Sequence, residues 1–168
     1  MISRYFWQTK PRRYRERPDD PQAHKVYTME RAIIGSCIGA HVDEDDLQAI
    51  ANHACRKWRV AKVEVVVKGM GTALFGECDH EIRLNKDWHG DNVPVLVHEL
   101  AHWIASEIWG DDNIEAHGPE WAQVYRVLLN DYKVLPYECS AVLFDKYEVR
   151  YEEDIKPPRK VEVAATEE

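Results

Sequence analysis

Val95-Leu96-Val97-His98-Glu99-Leu100-Ala101-His102-Trp103-Ile104 is the stretch from which the rest of the chain is read. Two histidines stand four apart, with a glutamate directly after the first, inside an otherwise apolar run. A spacing of four returns to nearly the same face of an α-helix, so His98 and His102 can turn imidazole nitrogens toward one ion. Glu99 falls about 100° further round, beside that ion rather than among its closest ligands. From there a carboxylate can hold and deprotonate a metal-bound water, the chemistry of the H-E-x-x-H pattern. The rival reading is a polar patch on an ordinary exposed helix. Leu96, Val97, Leu100, Ala101 and Ile104 surround the polar trio and argue against it. Burying two imidazoles and a carboxylate without partners is costly, and a metal removes that cost.

The helix carrying this motif is expected to begin near Asn92, with Pro94 tolerated in its first turn. It should end near Trp109, because Gly110 followed by Asp111-Asp112-Asn113 is a strong stop. A loop then leads to Ala116-His117-Gly118-Pro119-Glu120-Trp121, and Trp121, Val124, Tyr125, Leu128 and Leu129 repeat at helical spacing. Catalytic zinc takes three protein ligands and leaves a fourth position for water. A third histidine six residues after His102 would fit one known spacing, but Ile108 stands there. Glu115 and Glu120 are within reach along the chain yet lack the usual N-E-x-x-x-D setting. His117 is the better candidate, since it precedes a Gly-Pro helix start after a loop long enough to reverse the chain.

Upstream, Lys25–Ile34 fits either a short helix or a strand. Asp43–Trp58 has acids at its start, an apolar stripe, and Arg56 and Lys57 near its end, which makes a dipole-compatible helix. His53 falls off that stripe and is read as solvated. Val60–Lys68 is β-branched, Gly69-Met70-Gly71 supplies a turn, and Thr72–Phe75 and Glu81–Asn85 complete a set of strands expected to be antiparallel. Residues 72–85 are the expected substrate-side strands, where an extended peptide could add by β-augmentation. Beyond Pro136, the stretch ECSAVLFDKYEVRY returns to the core as a helix or a last strand. Trp58, Trp103 and Trp121 lie on core stripes and are read as packing. The Cys78-Asp79-His80 pair is a poor second metal site, and His89 either lines a cleft or faces water.

The 168 residues allow one domain with a real core. A formal net charge of −8 argues against a general nucleic-acid binder. The charge is uneven, with five basic residues and one acid between Lys10 and Arg17. Such ends are usually solvated tails, and a DNA-contacting arm is the minority reading. The expected organisation is a flexible basic arm at 1–22, one domain at 23–150 and a disordered acidic tail at 151–168. Met1–Trp7 has no sustained apolar region and no window could span a bilayer. Four cysteines without a C-x-x-C pair indicate neither a zinc ribbon nor a disulfide framework, so the expected setting is cytoplasmic, with no membrane partner.

HELAHW followed fifteen residues later by HGPEW resembles the SprT-like group of zincin metallopeptidases, in which an HExxH helix is followed by an H-G-x-x-[FW] helix. The resemblance implies an α+β, minimal zincin-like fold: a small antiparallel or mixed sheet packed on the HExxH helix and a second ligand-bearing helix. It also implies one Zn²⁺ held by His98, His102 and His117, with Glu99 as general base. It extends to small bacterial and phage metallohydrolase-like proteins that open with D-x-Q-x-x-x-V-Y-x-x-E, here Asp20, Gln22, Val26, Tyr27 and Glu30. SprT-like proteases of DNA–protein crosslinks commonly carry a C-terminal zinc ribbon, whereas only Cys139 follows the second helix here. The expected activity is metallopeptidase action on a protein or peptide. The alternatives are a silent zinc-containing binding module, associated with DNA or docking between phage and host, and a hydrolase of non-peptide amides. Tyr125, Tyr132 and His89 are unranked guesses for an oxyanion donor.

Overall fold

The computed structural model describes residues 20–36, 42–68, 74–76, 80–85 and 92–154. Their order is α1 (Ala23–Ser36), α2 (Glu44–Trp58), β1 (Glu64–Lys68), β2 (Leu74–Gly76), β3 (Glu81–Asn85), α3 (Asn92–Trp109), a 3₁₀ turn (Asp111–Asn113), α4 (Pro119–Asp131) and α5 (Tyr137–Lys146). The fold is therefore α+β, with helices dominating.

Helix α3 sits at the centre because it is apolar nearly all round. Leu96, Val97, Leu100, Ala101 and Ile104 have no exposed surface, and the helix packs on α2, α4, β2 and β3. It stops where Gly110 adopts φ +83°, a left-handed turn in which a side chain would be strained. Helix α2 starts where Asp43 accepts from the Asp46 N–H at 2.9 Å, and ends with Arg59 in the left-handed region. Pro119 occupies the first turn of α4, where its missing N–H costs nothing.

The sheet order is β1-β3-β2. Strands β2 and β3 are antiparallel, but β1 and β3 run parallel, with Glu64 opposite Glu81 and Lys68 opposite Asn85. The expectation of antiparallel strands is corrected at that pair, and the sheet is mixed. The chain reverses at β2 and again at β3, so β3 regains the direction of β1 and lies between the other two. Its alternation explains the central place, since Ile82 and Leu84 both point into the core. The outer edge of β1 is engaged by α2, where Gln48 accepts from Val65 N–H at 2.8 Å and donates to Val63 O at 3.0 Å.

Two segments left open between helix and strand are helices, α1 and α5. The second and first strands are also shifted: β2 includes Gly76, and β1 begins at Glu64 rather than Val60. Side-chain bonds tie the two ends of the described chain together. Gln22 is buried, accepts from Arg150 N–H and donates to His117 O at 2.6 Å. The buried Arg126 guanidinium lies over the Tyr151 ring at 4.3 Å and over the Tyr137 ring at 4.4 Å. Arg126 also donates to Ser140 Oγ at 3.0 Å, which ties α4 to α5. The Lys10–Arg17 arm, the Gly69–Gly71 turn, Cys78, Asp79, Trp88, His89 and the chain beyond 154 lie outside the described residues. Among the described residues, no helix is long and apolar enough to cross a membrane.

Candidate metal centre

Helix α3 carries His98, Glu99 and His102, and the tight turn before α4 carries His117. Gly118 allows that turn. Its N–H donates to Glu115 O at 2.9 Å, and a Cβ added there would lie 3.1 Å from both the Cβ and the carbonyl oxygen of Glu115. The three histidines converge. His98 Nε2 lies 3.1 Å from His102 Nε2 and 3.4 Å from His117 Nε2, and the ligand atoms of all three lie within 4.8 Å of one another. His98 and His117 are buried, and His102 is partly exposed. This group can hold a metal ion.

The donor set can be tested against zinc. Zn–N bonds of about 2.0–2.1 Å in a tetrahedron place ligand nitrogens about 3.3–3.4 Å apart. Two of the spacings here come within a few tenths of an ångström of that. The protons are also in the right places. His98 Nδ1–H donates to Glu30 Oε1 at 2.5 Å, and His117 Nδ1–H donates to Asp20 Oδ2 at 2.5 Å. With Nδ1–H held by a carboxylate, each ring when neutral offers its Nε2 to a shared cation. Nitrogens that close need a cation between them, either a proton on His98 Nε2 or a metal ion that replaces it. The residues fit a zinc-type dication.

Aromatic rings wall the cluster. Trp121, fully buried, lies with its ring centroid 4.8 Å from His117, 5.1 Å from His98 and 5.6 Å from His102. Tyr125 stacks behind it at 4.6 Å. Trp121 is thus packing, as its stripe implies, but what it packs are the three imidazoles. Tyr27 stacks on His98 at 6.0 Å and meets His117 edge-on at 5.5 Å.

Burial pushes the His98 pKa down, but the carboxylates of Glu30, Glu99 and Asp20 outweigh it and hold the group at about 9. His117 shifts the other way. Burial lowers it, the Asp20 bond opposes, and the charge on neighbouring His98 adds to the lowering. Without metal the cluster therefore keeps one extra proton, on His98. Zinc must displace that proton, so binding at pH 7–8 should release about one proton, and affinity should rise with pH until it levels above about 9. Calorimetry in buffers of different ionisation enthalpy measures the release, and a value near zero at pH 7.5 would contradict the assignment.

Of the other residues singled out by sequence, Tyr132 bonds to Ile50 O at 3.1 Å and to His53 Nδ1 at 2.9 Å, at the α2–α4 contact. Burial, then Asp131, push its pKa up to about 12. Glu115 pairs with Arg150, and neither it nor Glu120 belongs to the ligand group. Sequence reasoning gave no chemical role to Asp20, Gln22, Tyr27 and Glu30. One signal was present: Glu30 interrupts the apolar series Val26, Met29, Ile33, and an acid at a core position needs a partner.

No family model, no curated protein and no solved structure matches this chain.

Proposed function

We propose that the protein is a zinc-dependent metallopeptidase. The observation that carries this reading is the convergence of three Nε2 atoms, two from one turn of α3 and one from the α4 turn, with Glu99 directly beside His98. His98, His102 and His117 would hold the ion. A zinc ion held by three imidazoles supplies a Lewis acid and lowers the pKa of a water in its remaining position. Glu99, next to His98 in the chain and 9% exposed, would be the general base, accepting a proton and returning it to a leaving amine. Trp121 and Tyr27 hold the ligand rings and exclude bulk water from their inner side.

Among the described residues, the edge of β2 is where a peptide substrate would lie nearest α3. Strand β3 is central, with partners on both sides, and Gln48 engages the outer edge of β1. Among the described residues, β2 pairs with β3 alone and also packs on α3. An extended peptide added to β2 would therefore run past the helix that bears His98 and His102. This narrows the substrate edge from residues 72–85 to Leu74–Gly76.

The test is metal content and turnover on the purified chain. We expect about one zinc per chain, hydrolysis of peptides in a broad library, loss of both on chelation and recovery on adding zinc back. Full occupancy with no turnover would overturn the peptidase reading in favour of a metal-containing binding module.

A further inference from the structure

We infer that Asp20 and Glu30, just before and on α1, are positioning residues for the metal, and that their two carboxylates form its outer coordination layer. The inference rests on the metal reading above, but not on peptidase activity. Each carboxylate accepts the Nδ1–H of a different ligand at 2.5 Å, Glu30 from His98 and Asp20 from His117. Each bond fixes the tautomer and ring orientation that present Nε2 to the centre. The bonds reach 68 and 97 residues along the chain, so neither follows from local helix geometry.

Three further observations point the same way. The side chains of Asp20 and Glu30 are each only 6% exposed, and neither carboxylate is paired with Lys or Arg among the described residues. Asp20 Oδ1 is buried with no hydrogen-bond partner among the described residues, which leaves negative charge beside His117 for a cation to balance. Gln22 then holds the backbone of the same ligand, donating to His117 O at 2.6 Å. Imidazole and main chain of His117 are thus fixed from two residues of one turn, while Tyr27 packs both rings. Burying two acids in this way serves no packing purpose that a leucine would not serve better.

The experiment uses the full chain. Zn²⁺ affinity is measured by chelator competition for the parent, Asp20→Asn, Glu30→Gln and the double variant. Asparagine and glutamine keep the size of the acids and can still accept a hydrogen bond, so a loss reports charge and tautomer rather than volume. We expect each single variant to bind Zn²⁺ about 10–100-fold more weakly, and the double variant more weakly than either. A second readout is ¹⁵N NMR of the metal-free protein, which shows which ring nitrogen carries the proton. His117 should hold its proton on Nδ1 in the parent, and that preference should weaken in Asp20→Asn. A structural role alone would not move that signal. If Glu30→Gln fails to fold, Asp20→Asn decides, because Asp20 precedes α1 and lies outside the apolar core. Affinities within about twofold of the parent, with the His117 proton unmoved, would overturn the inference. A parent that binds Zn²⁺ without cleaving peptides would sink the peptidase reading and leave this one standing.

Discussion

Replacing Glu99 by glutamine should leave zinc in place and abolish turnover. Glu99 is not one of the three converging ligands, it is 9% exposed, and glutamine matches its size. What the variant loses is the ability to accept a proton. Removing a positioned general base costs about 10²–10⁴-fold in rate, equivalent to about 3–5 kcal/mol of transition-state stabilisation. Metal content and kcat/KM measured on the same preparation check this. The expected result is unchanged stoichiometry with a fall of at least a hundredfold. A variant that hydrolyses peptides as fast as the parent would remove Glu99 from the mechanism.

His117→Ala should behave in the opposite order, losing the metal first and activity as a consequence. His117 has no exposed surface, its Nε2 lies 3.4 Å from that of His98, and its Nδ1 is held by Asp20. Losing one ligand of three removes roughly a third of the about 10–16 kcal/mol that a zinc site supplies, a weakening of about 10²–10⁴-fold. The truncation also strands the Asp20 carboxylate, which adds to the loss. His53→Ala is the control. That histidine bonds Tyr132 on the α2–α4 contact, and its removal should leave zinc affinity unchanged. Equal zinc affinity in His117→Ala and the parent would mean that the third ligand is elsewhere.

The parts of the fold legible in the sequence are those with local causes. Helix α3 has the bounds that Pro94 and Gly110 imply, and α2 those that Asp43 and its basic last turn imply. Strand β3 was legible because Ile82 and Leu84 alternate cleanly with Arg83. The pairing of β1 with β3 was not, because alternation tells which face a residue takes and nothing about which strand lies beside it. Helix α1 was ambiguous for a chemical reason. Tyr27 and Glu30 stand on its inward side among Val26, Met29 and Ile33, and polar groups there blur the apolar period. Those residues contact His98, so what obscured the helix is also what connects it to the histidine cluster. The convergence of His98 and His102 follows from helix geometry alone. That of His117 depends on the α3–α4 turn, whose closeness Gly118 permits.

The histidine cluster and the carboxylates behind it differ in how far apart in the chain their members are. His98 and His117 are separated by 19 residues, whereas Glu30 reaches His98 across 68 and Asp20 reaches His117 across 97. Closing a flexible loop costs only about 0.6 kcal/mol for each doubling of its length. Insertions between α1 and α3 should therefore barely disturb the carboxylate contacts. An added or deleted residue between His102 and His117 would instead move a ligand by about 3.3–3.6 Å, more than a zinc–nitrogen bond length. In this architecture the spacing from His98 to His117 is rigidly specified, and the long route from Glu30 to His98 is where sequence length is free to vary.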